Sequence, residues 1–310
     1  MDPAAESLPV FVEPARIAVI APPTKCRYTS RMKPRMVRTR SGLEMPVLGQ
    51  GTWKMGDAPQ RREQEIRALR TGFDLGLTLV DTAEMYGGGR SEQLVGKAIA
   101  GRREEIVLVT KVLPQNAARS GVRQACEGSL ARLGTDRIDL YLLHWKGQHP
   151  LCETVEAFDR LVEEGKIRHW GVSNFDVADL EEVERCPAGK HAAANQVYYN
   201  LQRRGIERKL LPLCRASNVV VMAYTPFEQG RLRTRGAIEA IAARHGATPY
   251  QIALAWILRD DGIVAIPQSG SEQHVRENAA ALEIQLSAED LQLLNREFPA
   301  PSVDVPLETT

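Results

Sequence analysis

Four residues suited to moving a proton stand at or just beyond the ends of apolar runs. The run from Leu77 closes on Asp81, the run from Ile106 on Lys111 and the run from Ile138 on His144, while Tyr86 follows Asp81 by five positions. An Asp or a Lys taken out of water alone costs several kcal/mol, so the placement of these two makes sense if they pair with each other or with a reacting group. A tyrosine beside such a pair is a candidate general acid. Its phenol titrates near ~10, and an adjacent ammonium favours the phenolate, which predicts a pKa drawn down toward neutrality. Later apolar runs also end on polar side chains: Ser173 followed by Asn174, Asn195-Gln196, Tyr224 and, past the last run, Gln268.

The elements that must carry these residues recur with a regular spacing. Leu48–Gly51, Leu77–Asp81, Ile106–Lys111, Ile138–His144, Ile167–Ser173, Ala193–Gln196, Val219–Tyr224 and Ile263–Pro267 are short runs rich in Val, Ile and Leu. Their continuous apolar character is that of strands buried on both faces, which implies parallel pairing. Helical periods lie between them. Ile66, Leu69 and Phe73 share one face, Thr248-Pro249-Tyr250-Gln251 reads as a capping box with proline at the first helical position, and Ser287 with Asp290 opens a last helix striped by Leu291, Leu294 and Phe298. Eight strands with eight crossovers predict an α/β fold, a (β/α)8 barrel, with an open doubly wound sheet as the alternative. In a barrel the carboxyl ends of the strands build the active site, which is where the polar residues fall. A β-hairpin is expected over 36–47, turning at Ser41-Gly42, and the helix after Ser287 is an extra C-terminal one.

Composition limits what such a barrel can serve. With 310 residues, 43% hydrophobic, 25% charged and a formal net charge of +1, the chain is a globular one with no whole-molecule field for nucleic acid. No apolar run approaches the roughly 20 residues that span a bilayer. Seven basic and no acidic residues between Lys25 and Arg40 set residues 1–35 apart as a disordered basic extension, with 36–310 expected as a single domain. Five cysteines, Cys26, Cys126, Cys152, Cys186 and Cys214, are widely spaced and form no CxxC pair. They suggest neither a disulfide framework nor a zinc cluster, and a cytoplasmic location. His144, His149 and His169 form no His/carboxylate set, so no metal is expected.

From Met36 to the last helix the sequence resembles the aldo-keto reductase superfamily, closest to bacterial reductases of small aldehydes and methylglyoxal. The motifs are LGQGTWKMG (48–56), DTAEMYG (81–87), LVTKV (108–112), DLYLLHW (139–145), GKIRHWGVSNF (165–175), NQVYYN (195–200), AYTPF (223–227) and VRENAA (275–280). The resemblance implies a catalytic tetrad of Asp81, Tyr86, Lys111 and His144, with Tyr86 as proton donor to a small carbonyl substrate and hydride coming from NADPH, or NADH as the alternative. It places Ser173, Asn174 and Gln196 on the carboxamide and Tyr224 against the nicotinamide ring. The pyrophosphate falls near Thr225, Pro226, Phe227 and Gly230, and the adenosine end near Gln268, Ser269, Gly270, His274, Glu277 and Asn278. Trp53 and Trp145, with Tyr86 and His144, are expected to wall the substrate pocket.

Two features depart from the family pattern. Members that prefer NADPH usually carry a Lys and, six residues on, an Arg where this chain has Gln268 and His274, which removes two fixed cations from a 2′-phosphate. Only twelve residues follow Phe298, which predicts a site left open or covered by a partner. A monomer or weak homo-oligomer is expected, with no nucleic-acid or membrane partner. A nicotinamide-sensing regulatory subunit of the same fold is the alternative to an enzyme, and a metal- or phosphate-dependent barrel hydrolase is a third.

Overall fold

The structure, a computed structural model, describes residues 35–310, so the leader expected over 1–35 lies outside the described residues except for Arg35. Two short strands, β1 (Met36–Arg38) and β2 (Glu44–Pro46), pair antiparallel across Ser41-Gly42, as anticipated. Eight more strands follow: β3 (Gln50–Gly51), β4 (Leu79–Asp81), β5 (Val107–Val112), β6 (Ile138–Leu143), β7 (Ile167–Ser173), β8 (Ala194–Tyr198), β9 (Val220–Tyr224) and β10 (Ile263–Ala265). They form one parallel sheet in sequential order. Its two edges meet: Leu48 bridges Ala265, Gly51 bridges Gln268, and the Gly49 N–H donates to the Ala265 carbonyl at 2.9 Å. The sheet therefore closes into a (β/α)8 barrel, and the open alternative is excluded.

Helices alternate with these strands. They are α1 (Arg62–Asp74), α2 (Arg90–Ile99), α3 (Arg119–Leu133), α4 (Leu151–Glu163), α5 (Val177–Arg185), α6 (Leu210–Ala216), α7 (Ala237–Arg244), α8 (Pro249–Leu258), α9 (Glu272–Ala280) and α10 (Ala288–Glu297). Both expected capping boxes form, Thr248 with Gln251 and Ser287 with Asp290. The apolar faces of α1 and α10 point inward through Ile66, Leu69, Phe73, Leu294 and Phe298, all buried.

The strands divide the apolar residues between two cores. One face packs on the helices, and the other fills the barrel with Leu79, Val109, Leu142, Ala194, Met222 and Ile266, closed at one end by Leu43 and Met45 of the hairpin. Side chains alternate along a strand with period two, so the next inward position beyond each of these is Asp81, Lys111, His144, Gln196, Tyr224 and Gln268. The barrel interior is thus apolar below and polar at its carboxyl end. Gly49 permits the closure, since a Cβ there would lie 2.3 Å from the Leu79 side chain.

One sequence reading is overturned. Cys152 and Cys186 form a disulfide across 34 residues, joining the first turn of α4 to the end of α5. Counting and spacing miss it because the two cysteines meet only when consecutive crossover helices pack side by side. Cys126 and Cys214 are free and buried, and Cys26 lies outside the described residues. The cysteine pattern therefore no longer argues for a reducing compartment.

Candidate active site

At the carboxyl end of the barrel the Lys111 ammonium is the centre of a buried cluster. Its Nζ donates to the two Asp81 carboxylate oxygens at 2.8 and 2.7 Å, to the Thr82 carbonyl at 2.8 Å and to the Tyr86 hydroxyl at 3.3 Å. Gln196 Nε2 donates to Asp81 Oδ1 at 2.7 Å. The expected Asp–Lys pair is thus present, and its remaining hydrogen-bonding capacity is used by neighbours, as a buried ion pair requires. Tyr86 stands edge-on to the His144 imidazole, with ring centroids 5.9 Å apart. Asp81, Tyr86 and His144 border one cavity of about 490 Å³, and Lys111 lies fully buried behind them.

The electrostatics of the cluster correct one expectation. Burial pushes the Tyr86 phenol above its ordinary value; Lys111 opposes this, and Asp81 adds to it. The ammonium does not draw the phenol down on balance because its charge is largely matched by Asp81, leaving desolvation in command. Burial works against the charged form of Lys111 too, yet Asp81 and then Tyr86 lift its pKa above the usual lysine value. His144 is held neutral, its pKa pushed down to about 2 by burial and then by the Lys111 charge. Its Nδ1 is buried without a hydrogen-bond partner among the described residues. At neutral pH the site therefore presents a protonated phenol, an ammonium and an uncharged imidazole.

The expected nicotinamide residues gather on the adjoining wall. Asn174, in the left-handed region at φ 59°, donates from Nδ2 to the His144 carbonyl at 3.1 Å and accepts from the Tyr224 hydroxyl at 2.8 Å. Ser173 donates to the Gln196 carbonyl at 2.9 Å. Thr225, Pro226, Phe227, Gly230 and Gln268 also line the cavity, as do Trp53 and Trp145 at its rim. Ser269, Gly270, His274, Glu277 and Asn278 do not line it: they lie beyond it, on the turn before α9 and along that helix. There Ser271 caps α9, and Glu272 in its first turn is engaged by Thr71 at 3.1 Å and by Arg67 at 3.5 Å.

Sequence reasoning did not reach Gly51, Thr52, Lys54, Met85, Gln229, Ile266 or Thr310, which also line the cavity. Lys54 and Met85 adjoin Trp53 and Tyr86 in the quoted motifs, a signal that was available. Thr310 had none. It arrives by the segment after Phe298, so the expectation of a site left open on that side is corrected: the short tail reaches the cavity itself.

The fold and the cluster together define a barrel oxidoreductase site. The aldo/keto reductase family profile matches residues 47–296, and the chain belongs to this family. It is 46% identical over 275 residues to the methylglyoxal reductase YeaE of Escherichia coli, spanning 87% of this chain and 97% of that protein. An NADH-specific methylglyoxal reductase of the same organism is 31% identical over 310 residues, with 81% of this chain and 94% of that one covered. Among solved structures, an aldo/keto reductase of Klebsiella pneumoniae in complex with NADP and acetate matches with a TM-score of 0.87 and 48% identity, covering 89% of this chain and 100% of the other.

Proposed function

We propose that this chain is an NAD(P)H-dependent carbonyl reductase acting on small reactive aldehydes and dicarbonyls of the methylglyoxal kind, with residues 36–310 as its reductase domain. The observation that carries the reading is Lys111 in contact with Asp81 and Tyr86 at once, behind a cavity that Asp81 and Tyr86 line together with His144. The methylglyoxal activity of two relatives supports the substrate class, and among the described residues no helix is long and apolar enough to cross a membrane.

The residues present fit a nicotinamide cofactor. Ser173, Asn174 and Gln196 offer a mixed set of donors and acceptors for an amide, with Gln196 Nε2 committed to Asp81 and its Oε1 left to accept. Tyr224 presents a half-buried aromatic ring to the same cavity. A reduced nicotinamide bound there supplies hydride to the carbonyl carbon. The protein's part is orientation and proton delivery.

Tyr86 donates its hydroxyl proton to the carbonyl oxygen as negative charge develops on it, and recovers a proton from solvent afterwards. Lys111 stabilises the phenolate left behind, which matters more because the phenol itself is not acidified beforehand. Asp81 and Gln196 hold Lys111 and Asp81 in register. His144 acts as a neutral donor. Leaving a buried N–H unpaired is more costly than leaving a lone pair unpaired, so its partnerless Nδ1 is assigned the lone pair and Nε2 the proton.

The test is consumption of NADPH and of NADH by the purified full chain with methylglyoxal and with an aromatic aldehyde. Turnover with at least one cofactor is expected. Cofactor binding without turnover across the panel would instead favour the nicotinamide-sensing subunit.

A further inference from the structure

The cavity has one lining residue that the barrel does not supply, Thr310. Residues 301–310, which bring it there, have no regular secondary structure and are held by side chains. Asp304 pairs with Arg208 at 2.9 Å and with Lys209. The Val305 side chain lies against Gly205, where a Cβ would come within 2.6 Å of it. Leu307 packs on the outer core, and Glu308 pairs with Arg203 at 2.6 Å. Thr310 then lines the cavity together with Tyr224, whose phenol burial pushes up to about 12 and Thr310 draws back.

Arg203 has a second partner. Its Nε lies 3.2 Å from Glu228, a buried carboxylate that also accepts from the Tyr198 hydroxyl at 2.8 Å and from Asn200 Nδ2 at 2.8 Å. Glu228 belongs to the loop after β9, where Thr225, Glu228 and Gln229 all lie in the left-handed region at φ 54°, 52° and 55°. Side chains with a Cβ avoid that region unless surrounding contacts hold them there. The Arg203 guanidinium stands 5.7 Å over the Tyr198 ring, and Tyr198 stacks on Tyr224 with centroids 5.5 Å apart and planes 11° apart. The contacts thus run from Glu308 through Arg203 and Tyr198 to Tyr224, which lines the cavity with Thr310, and the strained loop is tied in at Glu228.

We infer that residues 302–310 form a strap that competes with the nicotinamide end of the cofactor for the Tyr224 side of the cavity. Arg203 is the positioning residue that joins this strap, through Glu308, to the loop expected to hold the pyrophosphate, through Glu228. The inference rests on the carbonyl-reductase reading, which sets the nicotinamide beside Tyr224. The fastenings suit a reversible strap. Glu308 and Arg203 are each about 40% exposed, and ion pairs so placed are individually weak and screened by salt. The strap opens without disturbing the barrel.

Tryptophan-fluorescence quenching by NADPH is measured for the full chain, Glu308→Gln, Arg203→Met and a chain ending at Pro301. The Kd for NADPH falls about two- to fivefold in Glu308→Gln, the worth of one exposed ion pair, and further in the shortened chain. Arg203→Met gains less than Glu308→Gln, because it also releases Glu228 and loosens the loop. Carboxypeptidase trimming of residues 302–310 speeds up in the full chain on adding NADPH, and is already faster in Glu308→Gln without it. An unchanged or higher Kd in both Glu308→Gln and the shortened chain, or tail trimming indifferent to NADPH, overturns the strap and leaves the reductase reading standing. No quenching of any form by NADPH or by NADH overturns that reading and the strap with it.

Discussion

The two ends of the cavity are built by different means. At the end proposed for catalysis, Asp81, Lys111 and Gln196 are inward residues of β4, β5 and β8, buried and locked together by bonds of 2.7 to 2.8 Å. At the end proposed for the nucleotide, Gln268 is exposed on the cavity wall, and Thr225–Gly230 is a loop held in uncommon backbone conformations. Strand register fixes the first end, so its chemistry comes with the fold. The second end depends on single side chains that can change without cost to the barrel, and there cofactor preference can drift.

The most forceful way to break this comparison is Tyr86→Phe. The phenol's only bonded neighbour in the cluster is Lys111, so its removal takes away the proton donor and leaves the Asp81–Lys111–Gln196 bonds intact. The rate of aldehyde reduction falls by about 10²- to 10⁴-fold, the usual worth of a positioned acid. Cofactor affinity stays within about twofold, since the nucleotide end is untouched. Steady-state rates beside a binding titration check it. A variant as fast as the parent would remove Tyr86 from the mechanism.

His144 sharpens the same contrast through pH. Its folded pKa of about 2 lies below the ordinary 6.5, so the unfolded chain binds the proton more readily. The neutral burial is fully stabilising above pH 6.5, and its contribution is lost as pH falls toward the folded value. Relative to His144→Asn, which cannot titrate, the parent loses ~1.4 kcal/mol for each pH unit below 6.5. Urea melts at pH 6.5 and 4.5 read the difference, roughly 2 to 3 kcal/mol over this window. Parallel pH dependence in the two proteins would mean that His144 titrates normally. The imidazole would then be charged at mildly acidic pH, and its role as a neutral donor would be lost.

The same division explains what the sequence could reveal. Each polar strand end was legible because a buried run stops on it, and period-two alternation carries the inward face one step past the apolar core, from Leu79 to Asp81 and from Val109 to Lys111. The eight strands and the capping boxes at Thr248 and Ser287 follow from equally local rules. What stayed hidden depends on contacts between distant segments. The Cys152–Cys186 bond needs α4 packed on α5, and Thr310 enters the cavity only because Asp304 and Glu308 find Arg208 and Arg203 roughly a hundred positions away. The Tyr86 shift was misjudged for a related reason: the charge of Lys111 was visible in the sequence, but its near-complete pairing with Asp81 was not.

The smallest expected effect lies at the nucleotide end and concerns Gln268. It lines the cavity and is exposed, at a position where a lysine would place an ammonium close to the turn before α9. That turn already offers Ser269, whose hydroxyl accepts from the Ser271 N–H at 3.1 Å, and the first turn of α9, whose free N–H groups favour an anion. Against this stands Glu272, a carboxylate in the same turn that repels a 2′-phosphate, though it is partly neutralised by Arg67. Gln268→Lys adds one charge-assisted contact of ~1.5 kcal/mol to NADPH and nothing to NADH, so the ratio of their dissociation constants moves about tenfold toward NADPH. Titration of both cofactors in parent and variant measures it. An unmoved ratio would place the 2′-phosphate away from Gln268, and adding Glu272→Gln would then show whether the carboxylate had set the preference instead.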